Sequence, residues 1–257
     1  MKGFCTLASG SKGNSLYFGT DKTRILVDVG LSVKILKDRL ETINVPIESI
    51  QAILITHEHS DHIKGLEQIV KQYDIPIIAN HDTAKELVEM LSIKPRFKLF
   101  CTGEPFTFQD LSIKPFSIQH DTVDPVGFVI QAGLMKLGVC TDLGCMTTGV
   151  LQAISQLDYL VLESNHDPDM VHASSRPDVY KQRVLSRLGH LSNLEAAKTL
   201  EKIYHQGLKR VFLAHLSEEC NEKGFALKTV SDYLAEKNCS LTLEVALQEK
   251  PSTVVHY

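Results

Sequence analysis

A chain of 257 residues, 43% apolar and 23% charged, can build a substantial core and has the make-up of an ordinary soluble globular protein. Its formal charge of −4 excludes a protein that holds nucleic acid by bulk positive charge, although a local basic patch stays open. No apolar run approaches membrane-spanning length and the first residues do not read as a secretory leader. The six cysteines are scattered without a Cys-x-x-Cys pair, which favours a reducing cytoplasm over a disulfide framework. Cys5, Cys101 and Cys140 fall in apolar runs and read as core thiols, whereas Cys145 lies close to a candidate ligand.

Strand patterns open the chain at 3–8, 16–18 and 24–29, with a glycine- and serine-rich loop over 9–15 between the first two. The loop's glycines let backbone N–H groups approach an anion, and a plain connection fits the same composition. Asp28 ends the third strand pattern beside Gly30, where an acid is either a turn residue or the acceptor that fixes a ligand histidine's tautomer. Ser32 caps a helix over 33–42 whose Ile35, Leu36 and Leu40 form one stripe, and Pro46 stops that segment.

A buried strand over 51–56 then runs into His57-Glu58-His59-Ser60-Asp61-His62. Four potential metal ligands in six residues, straight after an apolar strand, are hard to explain by packing. If extended geometry persists, His57 and His59 point to one side, because side chains alternate with period two. Asp61 and His62 sit where a helix over 63–73 should start, so the turn aims them at a second position. Two ligands for one metal and two for another is the economical reading.

A strand at 76–79 and a helix over 83–91 follow, with Thr83-x-x-Glu86 as a capping box and His81 as a helix-start residue. Short strands at 98–101, 105–108 and 111–116 lead to His120, which leaves a strand for an acidic, proline-containing loop. A hairpin pairs 128–131 with 134–140, and its second strand runs out at Asp142. That residue reads as a metal-bridging carboxylate or as a cap for the helix over 148–155. The strand at 157–162 ends at Glu163, with His166 three residues on. An irregular or helical stretch carries Arg176, Lys181, Arg183 and Arg187 against Asp178, which is either a basic patch or a solvated helix face. His190 precedes a helix over 194–204, and the strand at 211–214 ends at His215. A helix over 225–236 and a strand over 240–247 close the chain. Early strands connect directly and later ones through helices, so the fold class is mixed α/β.

Asp28, His57-x-His59-x-Asp61-His62, His120, Asp142 and His215 each follow a strand pattern, and the set resembles the metallo-β-lactamase fold superfamily over nearly the whole chain. The resemblance implies a single domain over 1–257, a four-layer αββα sandwich with a two-metal site at one edge. In it, His57, His59 and His120 hold the first metal, Asp61, His62 and His215 the second, and Asp142 bridges them. Asp28 supports the ligands without binding metal. Zinc, manganese and iron all suit such mixed ligands.

Within the superfamily, a true β-lactamase commonly replaces the residue at His62, and a flavodiiron protein carries a carboxylate where His59 stands. Glu163 with His190-Leu191-Ser192 looks like the tRNase Z-type arrangement, in which a strand-end glutamate pairs with a histidine that protonates the leaving oxygen. The stretches 7–15, 165–167 and 187–193 resemble the YycJ/WalJ-type branch of bacterial nucleases, which is associated with exonuclease action on DNA. The resemblance therefore implies a two-metal phosphodiesterase acting on DNA, with a metal-bridging hydroxide as nucleophile. Asp61 orients that hydroxide, and His190, held by Glu163, is the general acid. Ser11, Asn14, Ser15, His166, Arg183, Arg187 and Ser192 are the expected substrate contacts. The alternatives are a tRNase Z-like RNA-processing nuclease, a hydrolase of small phosphodiesters or thioesters, and an adaptor with a vestigial site, against which the complete ligand set argues. The short interval between Asp142 and His190 leaves no room for a β-CASP insertion.

Overall fold

The computed structural model describes all residues, Met1–Tyr257. They form two compact units, one comprising Met1–Pro115, Thr122–Val126 and Leu247–Tyr257, the other Phe116–Asp121 and Gly127–Ala246. In the first unit, apolar runs bounded by turn residues become β1 (Gly3–Ala8), β2 (Ser15–Gly19) and β3 (Arg24–Val27), which pair antiparallel in succession. Helix α1 (Val33–Thr42) then lets β4 (Ala52–Leu54) return parallel to β3. The short α2 (Ser60–Ile63) and α3 (Leu66–Tyr73) carry the chain to β5 (Ile77–Asn80), and α4 (His81–Met90) to β6 (Phe97–Phe100), both parallel. The strands β7 (Phe106–Phe108) and β8 (Leu111–Ser117) pair antiparallel. Leu7, Leu26, Leu36, Leu40, Ile53 and Leu66 are fully buried in one apolar cluster that joins the helices to this sheet.

The second unit repeats the plan of antiparallel strands feeding parallel ones. Its β9 (Val126–Ala132) and β10 (Met135–Cys140) form the expected hairpin. Helix α5 (Thr148–Ala153) leads to β11 (Tyr159–Glu163), parallel to β10. The stretch without clear periodicity contains α6 (Pro168–Ala173) and α7 (Asp178–Leu185), followed by α8 (Asn193–Ile203). Then come β12 (Arg210–Ala214), α9 (Lys223–Glu236) and β13 (Leu243–Val245), with β11, β12 and β13 parallel in order. The fold is mixed α/β with two sheets. No helix is long and apolar enough to cross a membrane.

Three expectations need correction. The single helix over 63–73 is broken at Gly65, whose N–H donates to the Val29 carbonyl at 2.8 Å and where a Cβ would lie 2.2 Å from the Leu31 carbonyl oxygen. The segment after β3 presses so closely there that a continuous helix cannot pass. The cap of α4 is Asn80, whose side-chain oxygen accepts from Thr83 N–H at 2.8 Å, so the helix begins two residues before the expected capping box. Cys101 is exposed, because it follows β6 at the border of its sheet, while Cys5 and Cys140 are buried as expected.

The loop over 9–15 and the loop over 57–62 are locked to one another. Asn14 N–H donates to the Asp61 carbonyl at 2.7 Å, and Gly30 N–H to the Asn14 carbonyl at 2.9 Å. Gly30 must be glycine, since a Cβ there would lie 1.6 Å from the Asp61 carbonyl oxygen. Gly30→Ala should therefore destabilise the protein by about 1–3 kcal/mol, the range for forced overpacking. Urea denaturation checks this, and an unchanged midpoint would show that the Asp61 loop can yield.

Candidate functional site

In the first unit, three imidazoles gather beyond β4. The ring of His57 lies 4.9 Å from that of His59, edge-on, and 4.0 Å from that of His62. Extended backbone through residue 59 followed by the α2 turn brings them together. His57 and His62 are buried and Asp61 is half-buried, with Asp61 Oδ2 at 3.5 Å from His62 Nε2. Behind them, Asp28 accepts from Thr56 N–H at 2.9 Å, from Thr56 Oγ1 at 2.8 Å and from His62 Nδ1 at 2.8 Å.

The second unit brings together Asp142, Glu163, His190 and His215, with one ligand atom from each within 4.8 Å of the others. Glu163 is fully buried at the end of β11 and is the hub. Its Oε1 accepts from His190 Nδ1 at 2.8 Å and His215 Nδ1 at 2.9 Å, while Oε2 accepts from Leu143 N–H at 2.8 Å and Leu191 N–H at 3.2 Å. Burial opposes ionisation of this carboxyl, but the His190 charge and the two imidazole hydrogen bonds outweigh it and hold the group well below the ordinary carboxylate range. Asp142 Oδ1 stands 3.4 Å from His215 Nε2 and 3.9 Å from His120 Nε2. These separations suit donors converging on a cation better than direct hydrogen bonds.

The tautomers can be worked out from the partners. His120 Nδ1 faces the Leu188 and Gly189 carbonyls at 3.1 and 3.2 Å, and carbonyls only accept, so Nδ1 carries the hydrogen and Nε2 the lone pair. Asp28 fixes His62 in the same way, and Glu163 fixes His215. Asn14 Nδ2, which can only donate, lies 3.0 Å from His62 Nε2, as that assignment requires. Thr56 has one hydroxyl proton and gives it to Asp28, so it accepts from His57 Nδ1 at 3.0 Å. In the first unit, His57 and His62 thus present Nε2 lone pairs alongside Asp61, and in the second, His120 and His215 do so alongside Asp142, each ring oriented through its other nitrogen. Carboxylates and neutral imidazoles so oriented fit a divalent metal ion.

The model of the beta-lactamase superfamily domain matches residues 23–216. Exodeoxyribonuclease YycJ of Bacillus anthracis is 37% identical over 236 residues, 91% of this chain and 89% of that protein. Exodeoxyribonuclease WalJ of Streptococcus pneumoniae is 35% identical over 247 residues, 94% of this chain and 91% of that one. The chain belongs to the metallo-β-lactamase superfamily, in the YycJ/WalJ family. The metallo-β-lactamase fold protein YhfI from Bacillus subtilis shares the fold, with a TM-score of 0.71 at 18% identity, covering 98% of this chain and 99% of that one.

The expected substrate contacts of this metallo-β-lactamase family member divide. Ser11 and Arg187 are exposed. Asn14 and Ser15 are buried and engaged internally, Asn14 Nδ2 with Asp61 Oδ2 at 3.1 Å and Ser15 Oγ with the Asp28 carbonyl at 2.8 Å. Ser192 caps α8 through Glu195 N–H at 3.2 Å. Arg183 is paired with Asp121 at 2.6 Å and Arg176 with Glu219, so the basic stretch is partly neutralised by acids distant in sequence. His166 is buried, its Nδ1 has no hydrogen-bond partner, and burial pushes its imidazole down to about 4 against the pull of Glu163. The sequence reading gave Thr56 and Asn165 no role of their own at the site. Asn165 Nδ2 donates to the His215 carbonyl at 2.6 Å, and the only local signals were that Thr56 precedes His57 and that Asn165 stands two residues after Glu163.

Two predictions follow from this geometry. Thr56→Val keeps the shape but removes the acceptor for His57 Nδ1, and should weaken metal affinity by about 10–100-fold, as loss of a ligand-orienting partner does. Competition with a chelating dye measures it, and unchanged affinity would mean that Thr56 does not set the tautomer. His166 titrates lower folded than unfolded, so between about pH 6.5 and 4 the unfolded chain takes up a proton that the folded one refuses. Stability should fall as pH drops through that window, by at most ~1.4 kcal/mol per pH unit from this group. Urea unfolding of His166→Gln should show a shallower slope there than the parent protein.

Proposed function

We propose that this chain is a two-metal exodeoxyribonuclease of the cytoplasm, a single catalytic domain over 1–257. His57, His59 and His120 would hold one divalent ion, Asp61, His62 and His215 the other, with Asp142 shared and Asp28 as support. Zinc, manganese and iron all suit these donors. Bound there, such ions supply Lewis acidity and an activated water for phosphodiester hydrolysis.

The observation that carries the reading is the Glu163–His190 pair. His190 Nδ1 donates to Glu163 at 2.8 Å, and its side chain keeps 17% exposure while Glu163 and His215 are buried. An imidazole anchored on one nitrogen and reaching solvent with the other is placed to give a proton to a departing sugar oxygen. Glu163, ionised beneath it, holds the ring by Nδ1 and leaves Nε2 facing outward. Asp61, held by Asn14, orients the attacking water. Relatives named as exodeoxyribonucleases, matched along nearly their whole length, support DNA over RNA or a small thioester as substrate.

His190→Ala should lower turnover of DNA by ~10²–10⁴-fold, the usual share of a general acid, while metal content stays intact. The assay pairs metal analysis with end-labelled single- and double-stranded DNA, an RNA of matched sequence and a thioester, all with metal-reconstituted protein. Activity on RNA or the thioester alone would reject the DNA reading. Loss of bound metal in the variant would make His190 a ligand, a role its place in the Asp142 cluster also permits.

A further inference from the structure

Next to the Glu163–His190–His215 cluster, the second unit buries a set of uncharged polar side chains: Ser164, Asn165, Asn193 and Asn221, none more than 6% exposed. Polar groups gather in an interior only where their hydrogen bonds are made there. Ser164 and Asn165 directly follow Glu163 at the end of β11, and Asn193 opens α8 three residues beyond His190. Asn221 lies between β12, after which His215 stands, and α9. We propose that Asn221 is a positioning residue for the general acid. It ties together the three segments that carry Glu163, His190 and His215, and so holds the His190 ring where it can protonate the leaving oxygen. This role rests on the nuclease reading given above.

The partners fix the orientation of the amide. Asn221 Nδ2 lies 3.0 Å from both the Ser164 and the Asn165 carbonyls, which only accept, and Oδ1 lies 2.9 Å from the Glu222 N–H, which only donates. A flipped amide would set oxygen against two carbonyls. In this orientation Asn221 and Asn193 pair reciprocally. Asn221 Nδ2 donates to Asn193 Oδ1 at 2.9 Å, and Asn193 Nδ2 to Asn221 Oδ1 at 3.0 Å. Asn193 Oδ1 also accepts from Ser164 Oγ at 2.6 Å. One side chain thus reaches the chain after β11, the start of α8 and the start of α9.

From there the contacts run to the chemistry. Asn165 N–H donates to the Leu191 carbonyl at 2.8 Å, beside His190, and Asn165 Nδ2 to the His215 carbonyl at 2.6 Å. The Asn165 carbonyl that Asn221 holds also accepts from Ser217 N–H at 2.8 Å. Asn193 N–H donates to the His166 carbonyl at 2.9 Å, which ties the segment after β11 to the one after His190 a second time. Glu163 grips the His190 ring at a single atom, Nδ1, so the direction of Nε2 depends on where the 190–193 backbone stands relative to Glu163. The Asn193–Asn221 pair, bonded to Ser164 and Asn165, sets that separation. An error of about 1 Å in such a placement can cost ~10²-fold in rate.

The test reads the leaving group. A sugar oxygen needs a proton as its P–O bond breaks, whereas sulfur in the same bridging position departs as a thiolate without one. Full-length, metal-reconstituted protein is given two single-stranded oligonucleotides of one sequence, with oxygen or sulfur at the scissile bridging position, in single turnovers with enzyme in excess. The parent should cleave both, and His190→Ala should lower the oxygen-to-sulfur rate ratio. Asn221→Ala should lower that ratio by roughly ten- to a hundredfold. Ser164→Ala, which removes one bond and keeps the amide pair, should lower it less. Leu234→Ala, buried at the far end of α9 from Asn221, loosens the same unit elsewhere, so its ratio should match the parent's. An Asn221→Ala ratio equal to the parent's, whatever becomes of the separate rates, overturns the inference and leaves the nuclease reading intact. A Leu234→Ala ratio that falls as far does the same. If Asn221→Ala does not fold, Ser164→Ala decides by the same comparison. A parent inactive on the oxygen substrate rejects the nuclease reading. A parent inactive on the sulfur one, or a His190→Ala ratio equal to the parent's, rejects His190 as the general acid, and each of these results takes the inference with it.

Discussion

A buried carboxylate can stay ionised only if hydrogen bonds replace the water it has lost, and that requirement organises the second unit around Glu163. The four donors that satisfy it come from three loops: Leu143 beside Asp142, His190 with Leu191, and His215. Removing any one loop from its place leaves part of this buried charge without a donor, at a cost of about 1–3 kcal/mol for each unsatisfied site. The geometry of the candidate ligands is therefore a by-product of satisfying one side chain. Asp28 plays the same part in the first unit, gathering Thr56 and His62. In both units, then, the groups that would face a cation are set from behind by an acid placed at the end of a strand.

That placement has a backbone cost. Asp28, Asp142 and His215 all adopt left-handed φ, at 59°, 58° and 54°, within two residues of a strand's end. Such a conformation is uncommon for residues with a Cβ, and it persists only where surrounding contacts over-determine it. Here the contacts are visible. Asp28 N–H is tied to the Leu54 carbonyl at 2.8 Å, the neighbour of Asp142 is tied to Glu163, and the His215 carbonyl is tied to Asn165. A strand that simply continued would throw these side chains alternately to opposite faces. The left-handed residue turns the chain sharply and aims the side chain along the strand's end, where chemistry needs it.

The strand ends were legible in the sequence because two signals coincide there. An apolar run marks a buried strand, and an acid or imidazole straight after it has no reason to be buried unless something binds it. His57, His120, Asp142, Glu163 and His215 all announce themselves this way, His62 through its spacing from His57, and all are buried. The supporting residues do not, because their partners lie far away in the chain. Thr56 looks like any strand-end threonine until its single proton is followed to Asp28. Gln248 stands in a polar tail, yet it clamps a loop 235 residues earlier. The break at Gly65 was hidden because its cause, the carbonyl of Leu31, belongs to a different element.

Charge shows the same limit from the other side. The stretch over 174–190 is basic by local count, yet Arg176 and Arg183 are matched by Glu219 and Asp121, acids that no window around them contains. Lys12, Arg39 and Lys64 belong to no common run of the sequence, and folding gathers them with Asp61 and Glu249 on one cavity. Charge density along the chain and charge density in space are different quantities, and only the second acts on a ligand, because Coulomb energy depends on distance and local dielectric and not on sequence order. An acidic protein can thus bring cations together in space without any basic run to advertise it. The same logic makes the C-terminal segment part of that cavity: Gln248 contributes no charge, yet the two hydrogen bonds of its amide tie the backbone of Lys12 and Gly13 in place and so help to set where the Lys12 charge stands in space.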